Sequence, residues 1–146
     1  MIIDIDSLDL EIQYNITEAV NTSKLAQSSY YGYKVCAMIV DENGNKYKGV
    51  NFEPSNGKSI CAETTALGTY LLSEKKRIKY MIVYGAGVDK EKRETVFCLP
   101  CGSCRQMLSD FVSSKTIIYG VNESANKVNK VTLEELLPFA FGNNNL

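Results

Sequence analysis

The sequence lacks a marked excess of charge of either sign. Sixteen lysine and arginine residues face seventeen aspartate and glutamate residues, so the formal net charge is -1 at pH 7. A chain with so little net charge does not produce the strong field that gathers nucleic acid or anionic lipid. We therefore expect no nucleic-acid partner, and a small neutral or weakly charged molecule as the ligand.

Long hydrophobic runs and a basic N-terminal segment are also missing. No run approaches the roughly 20 apolar residues that a membrane-spanning helix requires, and residues 1–10 contain no lysine or arginine. The sequence therefore predicts neither a membrane partner nor a signal peptide, and we expect a cytoplasmic protein. Repeats of solenoid length are absent, and 146 residues suffice for one core but not for two. We expect a single domain over residues 1–146.

Cysteine is present in an odd number, which argues against a disulfide framework. Three of the five cysteines, Cys98, Cys101 and Cys104, recur at every third position. Spacing of this kind favours a metal site in a protein from a reducing compartment.

Hydrophobic periodicity predicts alternating strands and helices. A first amphipathic helix is expected to follow the caps Asp6 and Ser7 and to end near Ala26. Strands are predicted over residues 35–40, 46–51, 78–84, 115–121 and 128–131, and helices over residues 61–72, 102–111 and 133–137. Residues 85–87 and 89–94 are predicted to form an exposed loop. This order indicates the α/β class, as a three-layer α/β/α sandwich with a mixed sheet of about five strands and right-handed crossovers.

Two segments forty residues apart each place a cysteine at the expected first turn of a helix, Cys61 in one and Cys101 in the other. The free main-chain N–H groups and the dipole at a helix N-terminus favour the thiolate, which is the form that binds metal. The Cys-x2-Cys spacing lets Cys101 and Cys104 bind one zinc ion, and Cys61 as a third ligand leaves one tetrahedral position open for water. We expect one Zn²⁺ per subunit at this site.

Glu63 lies two residues after Cys61. A carboxylate at this distance is placed to take a proton from a zinc-activated water and to pass it to a ring nitrogen and then to a leaving amine. Zinc deaminases of nucleobases combine such a glutamate with cysteine or histidine ligands. We therefore expect Glu63 to be the catalytic residue.

Four segments, in this order, resemble the motifs of the small cytidine deaminases, and the likeness extends over most of the chain. They are Tyr33-Lys34-Val35, Asn51-Phe52-Glu53, Pro100-Cys101-Gly102-Ser103-Cys104-Arg105-Gln106 and Leu136-Leu137-Pro138-Phe139-Ala140-Phe141-Gly142. The resemblance implies zinc-dependent hydrolytic deamination of cytidine or deoxycytidine to uridine or deoxyuridine and ammonia, within pyrimidine salvage.

The resemblance also implies roles for substrate-binding residues. Asn51 and Glu53 would hydrogen-bond the ribose hydroxyls, and Tyr33 would stack or pack against the nucleoside. Main-chain groups near Ala62 and Pro100 would position the base. Taken alone, each of these side chains is equally typical of ordinary turns, surfaces or packing.

Two further roles concern the surroundings of the site. The resemblance implies that Arg105 donates to the cysteine thiolates, and that Phe141 reaches into a neighbouring subunit's active site in a homotetramer with shared sites. Thr64 stands where the family often has arginine after Cys-Ala-Glu, so one cation near the sulfurs is missing. Arg105 is then expected to contribute more to offsetting the negative charge of the three thiolates.

A second hypothesis lies within the same chemistry. Pro54 to Lys58 and Leu67-Gly68-Thr69 resemble the blasticidin S deaminases, which act on a cytosine-containing antibiotic. Glu53, which would bind an unmodified ribose, favours the nucleoside. Deamination of the antibiotic therefore ranks behind deamination of the nucleoside.

Three further hypotheses require no catalysis. Cys98 could close a four-sulfur zinc site, or Cys61, Cys98, Cys101 and Cys104 could hold an iron–sulfur cluster. The third is a deaminase fold that only binds its ligand. The two cysteine-only hypotheses give Glu63 and the Asn-x-Glu motif no role, and we expect Cys98 to pack as a small apolar residue.

Overall fold

The computed structural model describes residues 1–146 and contains one mixed sheet of six strands. The strands are β1 (Ile2–Asp4), β2 (Tyr33–Asp41), β3 (Lys46–Val50), β4 (Ile78–Gly87), β5 (Ile117–Val121) and β6 (Lys127–Thr132). The α-helices are α1 (Leu10–Ser23), α2 (Ala62–Leu71), α3 (Gly102–Leu108) and α4 (Leu133–Leu136). The strand order across the sheet is β1-β6-β5-β4-β2-β3. No helix combines the length and the apolar character that a bilayer crossing requires.

The sheet is covered on both faces because the side chains of its central strands alternate between two apolar clusters. In β2, Cys36, Met38 and Val40 belong to the cluster that includes α1, whereas Ala37 and Ile39 belong to the cluster that includes α2. All five side chains are fully buried. Successive side chains of a strand point to opposite faces, so one apolar run supplies both clusters. The predicted three-layer α/β/α sandwich with a mixed sheet is confirmed.

The sheet has six strands rather than about five, because the N-terminal residues add a short edge strand. Strand β1 pairs antiparallel with β6, and a 3-10 turn over Ile5–Ser7 follows it. The expected start of the first helix behind Asp6 and Ser7 was therefore wrong. Helix α1 begins at Leu10 after Asp9 and ends at Ser23.

The loop predicted over residues 85–87 was also placed wrongly. These residues extend β4, where Gly85, Ala86 and Gly87 pair with Val35, Lys34 and Tyr33 of β2. An added Cβ on Gly85 would lie 2.7 Å from the Tyr33 ring and 2.8 Å from the Cys98 sulfur. The two glycines are thus strand residues that leave room for neighbouring side chains.

Strand direction places the starts of α2 and α3 at the same edge of the sheet. Strands β4 and β5 are parallel, and β3 and β4 are both antiparallel to β2, which lies between them. Strands β3, β4 and β5 therefore all end at one edge, and α2 and α3 follow β3 and β4 in the chain. Residues far apart in sequence can therefore meet at this edge. Ligands of α/β proteins commonly bind at the same place, outside the carboxyl ends of the strands.

Gly49 of β3 allows α2 to lie very close to the sheet. A Cβ at this position would lie 2.1 Å from the main-chain nitrogen of Ala66 and 2.4 Å from the carbonyl oxygen of Ala62. Only glycine permits so close an approach of backbone to backbone. The position of the first turn of α2 therefore depends on the absence of a side chain at Gly49.

Candidate metal centre and active site

Three cysteine sulfurs meet where α2 and α3 begin. Cys61 is the N-cap of α2, Cys101 is the N-cap of α3, and Cys104 lies in the first turn of α3. Their Sγ atoms all lie within 4.8 Å of one another, and those of Cys61 and Cys101 are 3.8 Å apart. Two Zn–S bonds of about 2.3 Å at the tetrahedral angle would place two sulfurs about 3.8 Å apart. This cysteine triangle therefore fits one zinc ion with a fourth position open.

Cys98 lies outside the cysteine triangle. Its main-chain N–H donates to the carbonyl of Val121 at 3.0 Å, and its thiol contacts the Tyr33 hydroxyl; burial raises the pKa of the Cys98 thiol to about 12. A thiol held in this way is not one of the converging ligands. The geometry therefore supports the open three-sulfur site over the closed four-sulfur site and the iron–sulfur cluster.

The thiols of the triangle differ in acidity when no metal neutralises them. Burial raises the pKa of the thiols of Cys61 and Cys104. Burial also acts to raise the pKa of Cys101, but the main-chain N–H of Cys104 and the neighbouring thiols more than offset it, so that pKa is lowered. Metal binding therefore has to displace protons from at least two of the three sulfurs.

Glu63 lies in the first turn of α2 with a side chain that is only 5% exposed. Burial raises the pKa of its carboxyl and outweighs the hydrogen bonds from its own main-chain N–H and from the Cys104 thiol, which lower it. A buried carboxyl beside a metal site is a candidate for proton transfer.

A cavity of about 290 Å³ opens onto the cysteine triangle and Glu63. It is lined by Tyr31, Tyr33, Val35, Asn51, Phe52, Glu53, Ser59, Ile60, Cys61, Ala62, Glu63, Cys98, Leu99 and Cys101. Four predicted substrate contacts, Tyr33, Asn51, Glu53 and Ala62, therefore line one cavity with two cysteines of the triangle, Cys61 and Cys101. Pro100 is buried next to it but does not line it.

Several lining residues were missed by sequence reasoning. Phe52 lies inside the Asn-x-Glu motif, and Leu99 lies directly before the zinc loop, so both could have been found from the motifs that flank them. Tyr31 and Ile60 carry no such signal, because only the folded chain brings them to the cavity.

Asn51 is engaged with the backbone of β2. Its Oδ1 accepts from the main-chain N–H of Val35 at 2.7 Å, and its Nδ2 donates to the carbonyl of Tyr33 at 2.9 Å. These bonds hold the start of β2 against the end of β3. Each amide atom retains further hydrogen-bonding capacity, so the predicted contact with a ribose hydroxyl stays compatible with the structure.

Glu53 is engaged with the turn that precedes β2. Its carboxylate accepts from Ser28 Oγ at 2.6 Å and from the main-chain N–H groups of Tyr30 at 2.7 Å and Tyr31 at 3.1 Å. The Ser28 bond and then these N–H bonds lower the pKa of Glu53. The carboxylate is therefore negatively charged near neutral pH, and one face of the cavity carries an anion.

Arg105 makes different hydrogen bonds from those expected. Its Nε donates to the carbonyl of Pro100 at 2.7 Å and its Nη1 to the carbonyl of Leu136 at 3.1 Å. The predicted donation to cysteine sulfur is not among its bonds. Arg105 instead ties the zinc loop to α4, because a guanidinium presents several donors in a fixed fork.

Phe141 lies on the C-terminal segment, away from the cavity of its own chain. Its side chain is 58% exposed, and its carbonyl accepts from Gln106 Nε2 at 2.8 Å. Helix α3 thus holds the segment that carries Phe141. A contact of Phe141 with an active site requires another subunit, and that role stays a prediction.

Comparison with known proteins places this geometry in a family. Residues 10–121 match the family model described as "Cytidine and deoxycytidylate deaminase zinc-binding region". The chain belongs to this family. The predicted resemblance is confirmed, and the family's zinc-binding region together with the cysteine triangle confirms the prediction of one zinc ion per subunit.

Several curated relatives align with nearly the whole length of this deaminase. A cytidine deaminase of Halalkalibacterium halodurans is 33% identical over 90% of this chain and 95% of its own length. One of Mycoplasma genitalium is 29% identical over 92% and 98%. A blasticidin-S deaminase of Bacillus cereus is 27% identical over 97% of both chains.

Solved structures share the fold of the deaminase. The cytidine deaminase of Burkholderia pseudomallei has a TM-score of 0.75 at 26% identity, covering 86% of this chain and 95% of its own. That of Mycobacterium tuberculosis has a TM-score of 0.72 at 23% identity, covering 92% and 99%, and supports the fold alone.

Proposed function

We propose that the protein deaminates cytidine or deoxycytidine by hydrolysis, giving uridine or deoxyuridine and ammonia. The observation that carries the proposal is the cysteine triangle with the buried Glu63 beside it at one end of a cavity. An open ligand position, a carboxyl in reach and a shielded space are the parts that hydrolytic deamination requires.

Glu63 moves the protons of this reaction. Zinc, when bound, supplies the Lewis acidity that activates a water for attack on C4 of the cytosine ring. The Glu63 carboxylate takes a proton from this water and delivers it to N3 of the ring. It then carries the second proton to the exocyclic amine, and the C4–N bond breaks as ammonia leaves. The buried position of Glu63 keeps bulk water from competing for these protons.

The other cavity residues bind and orient the nucleoside. N1 of cytosine, which carries the sugar, lies across the ring from C4, so the sugar points away from the cysteine triangle. We assign the ribose hydroxyls to Asn51 and Glu53, which line the same cavity. Tyr33 packs against the nucleoside, and main-chain groups near Ala62 and Pro100 position the base.

The charges around the cavity favour a nucleoside over a nucleotide. No lysine or arginine lines the cavity, and the ionised Glu53 lies where the sugar is expected. A phosphate on the sugar would meet this carboxylate without a cation to offset the repulsion. The proposal is therefore limited to substrates without a phosphate.

The zinc-loaded protein is expected to deaminate cytidine or deoxycytidine with a kcat/KM at least about 100-fold above that for deoxycytidylate, because like charges placed together cost several kcal/mol. Loss of ultraviolet absorption on removal of the amine measures all three reactions. Blasticidin S is assayed in parallel. No turnover of either nucleoside would refute the proposal, and turnover of blasticidin S alone would establish the antibiotic as the substrate.

The setting of the activity is proposed from the same family relationship. We place the protein in the cytoplasm, in pyrimidine salvage, as a homotetramer with shared active sites. The exposed Phe141, held by Gln106 on the surface of α3, supports this assembly because it lies outside the cavity of its own chain that contains Glu63.

Phe141→Ala is expected to raise the KM for cytidine by about tenfold, because an aromatic anchor at the interface is lost. Light scattering of the wild-type protein should give four times the chain mass of 16.2 kDa. Phe111→Ala is the control, since Phe111 is also exposed, at 44%, but lies outside the C-terminal segment. A monomeric wild type, or an unchanged KM for Phe141→Ala, would contradict the shared site.

A further inference from the structure

The turn over Ser28–Gly32 carries two neighbouring tyrosines, Tyr30 and Tyr31, which differ in their relation to the cavity. Both side chains are exposed, Tyr30 at 67% and Tyr31 at 78%, but only Tyr31 lines the cavity. The family motifs assign no role to either residue. An exposed aromatic ring at the mouth of a binding cavity is available to contact a ligand that enters it.

The backbone of this turn is fixed before any ligand binds. The Glu53 carboxylate accepts from Ser28 Oγ and from the main-chain N–H groups of Tyr30 and Tyr31. At the other end of the turn, Gly32 has a φ of 63° and its carbonyl accepts from the Val88 N–H at 2.7 Å. Ligand binding therefore does not have to order the turn, which limits its entropic cost.

The orientation of the base directs the sugar toward Tyr31. With C4 at the cysteine triangle, the sugar on N1 extends away from the triangle, toward Asn51 and Glu53, to which the ribose hydroxyls are assigned. The Tyr31 N–H donates to the Glu53 carboxylate at 3.1 Å and Tyr31 lines the same cavity, which places Tyr31 beside the residue assigned to the ribose hydroxyls. No other residue of the turn lines the cavity.

We propose that Tyr31 is a specificity-determining residue of the deaminase, whose ring packs against the sugar of the bound nucleoside. Glu53 is the positioning residue that holds the turn, and so the ring, beside the sugar. This inference rests on the proposed function, because it requires a cytosine nucleoside in the cavity. It selects nucleosides over cytosine derivatives that lack a sugar.

The test compares Tyr31→Ala, Tyr31→Phe and the matched control Tyr30→Ala, each loaded with zinc. All three variants keep the main-chain N–H groups that bind Glu53, so the turn is preserved. Steady-state kinetics are measured with cytidine and with 1-methylcytosine, which has the base but no sugar. Competition of 1-methylcytosine against cytidine gives its affinity whether or not it is turned over.

Tyr31→Ala is expected to raise the KM for cytidine about five- to tenfold, the effect of losing one aromatic contact. Its kcat and its affinity for 1-methylcytosine should match the wild type. Tyr31→Phe and Tyr30→Ala should retain the wild-type KM.

Two results would overturn the inference. One is an unchanged KM of Tyr31→Ala for cytidine, and the other is an equal loss for cytidine and 1-methylcytosine, which would mean that Tyr31 only maintains the shape of the cavity. Failure of the proposed function is distinct from both, because the wild-type protein itself would then leave cytidine unchanged.

Discussion

Replacement of Glu63 by alanine is expected to lower kcat for cytidine by about 10²- to 10⁴-fold while each subunit keeps about one zinc ion, since proton transfer by a positioned carboxylate contributes at this level. The three converging sulfurs would hold the zinc ion, and this carboxyl is not part of that group, so metal content and activity should separate. Steady-state kinetics and metal analysis by mass spectrometry measure the two quantities on the same sample.

Glu63→Gln extends this test because glutamine fills nearly the same space and cannot exchange the proton. It should be as inactive as Glu63→Ala. Glu135→Gln is the control, because Glu135 is an exposed glutamate whose only role is the capping box of α4 with Thr132. A kcat of either Glu63 variant within tenfold of the wild type would exclude Glu63 as the proton carrier.

Cys101→Ser and Cys98→Ser are expected to give opposite results in metal binding. Cys101 belongs to the cysteine triangle and Cys98 does not. Replacement of a thiolate ligand by a hydroxyl should weaken zinc binding by at least about 100-fold, more than the loss of a group that only orients a ligand. Cys98→Ser should keep one zinc ion per subunit after dialysis.

The two serine variants are matched, since each changes one sulfur to oxygen in the same connection between β4 and α3. Zinc retained by Cys101→Ser would remove that residue from the ligand set. Zinc lost by Cys98→Ser, with the far-ultraviolet circular dichroism of the wild type, would mean that the site is closed by a fourth sulfur and lacks an open position for water.

The elements that hold the metal ligands were predictable because their signals are local. The apolar residues of α2 recur at helical spacing, and the helix begins directly after Cys61, as expected. Pro100 ends the preceding extended segment, and α3 begins after Cys101. Composition and periodicity within ten residues are enough for such assignments.

The errors arose where pairing over long distances decides the structure. Strand β1 has only three residues and exists because it pairs with β6 at the opposite end of the chain. Gly85 and Gly87 are of a residue type that is typical of loops, but their pairing with β2 keeps them extended. Strand preference depends strongly on such neighbours, and sequence alone does not reveal them.

The candidate site could be predicted in its residue types but not in its contacts. The sequence indicated three ligands out of four nearby cysteines, and the folded chain turns Cys98 toward Tyr33 instead. Arg105 was expected at the sulfurs, but the carbonyls of Pro100 and Leu136 lie within its reach. Side-chain partners of this kind depend on distances that only the tertiary structure sets.

The distribution of the ligands over two helices makes the zinc ion a removable cross-link. Cys61 and Cys101 are separated by forty positions, so a bound ion would close a long loop that is open in the unfolded chain. Because the ion binds the folded chain, each tenfold rise in free zinc above the dissociation constant adds about 1.4 kcal/mol to the free energy of unfolding. We therefore expect the thermal tolerance of this protein to rise with the concentration of free zinc.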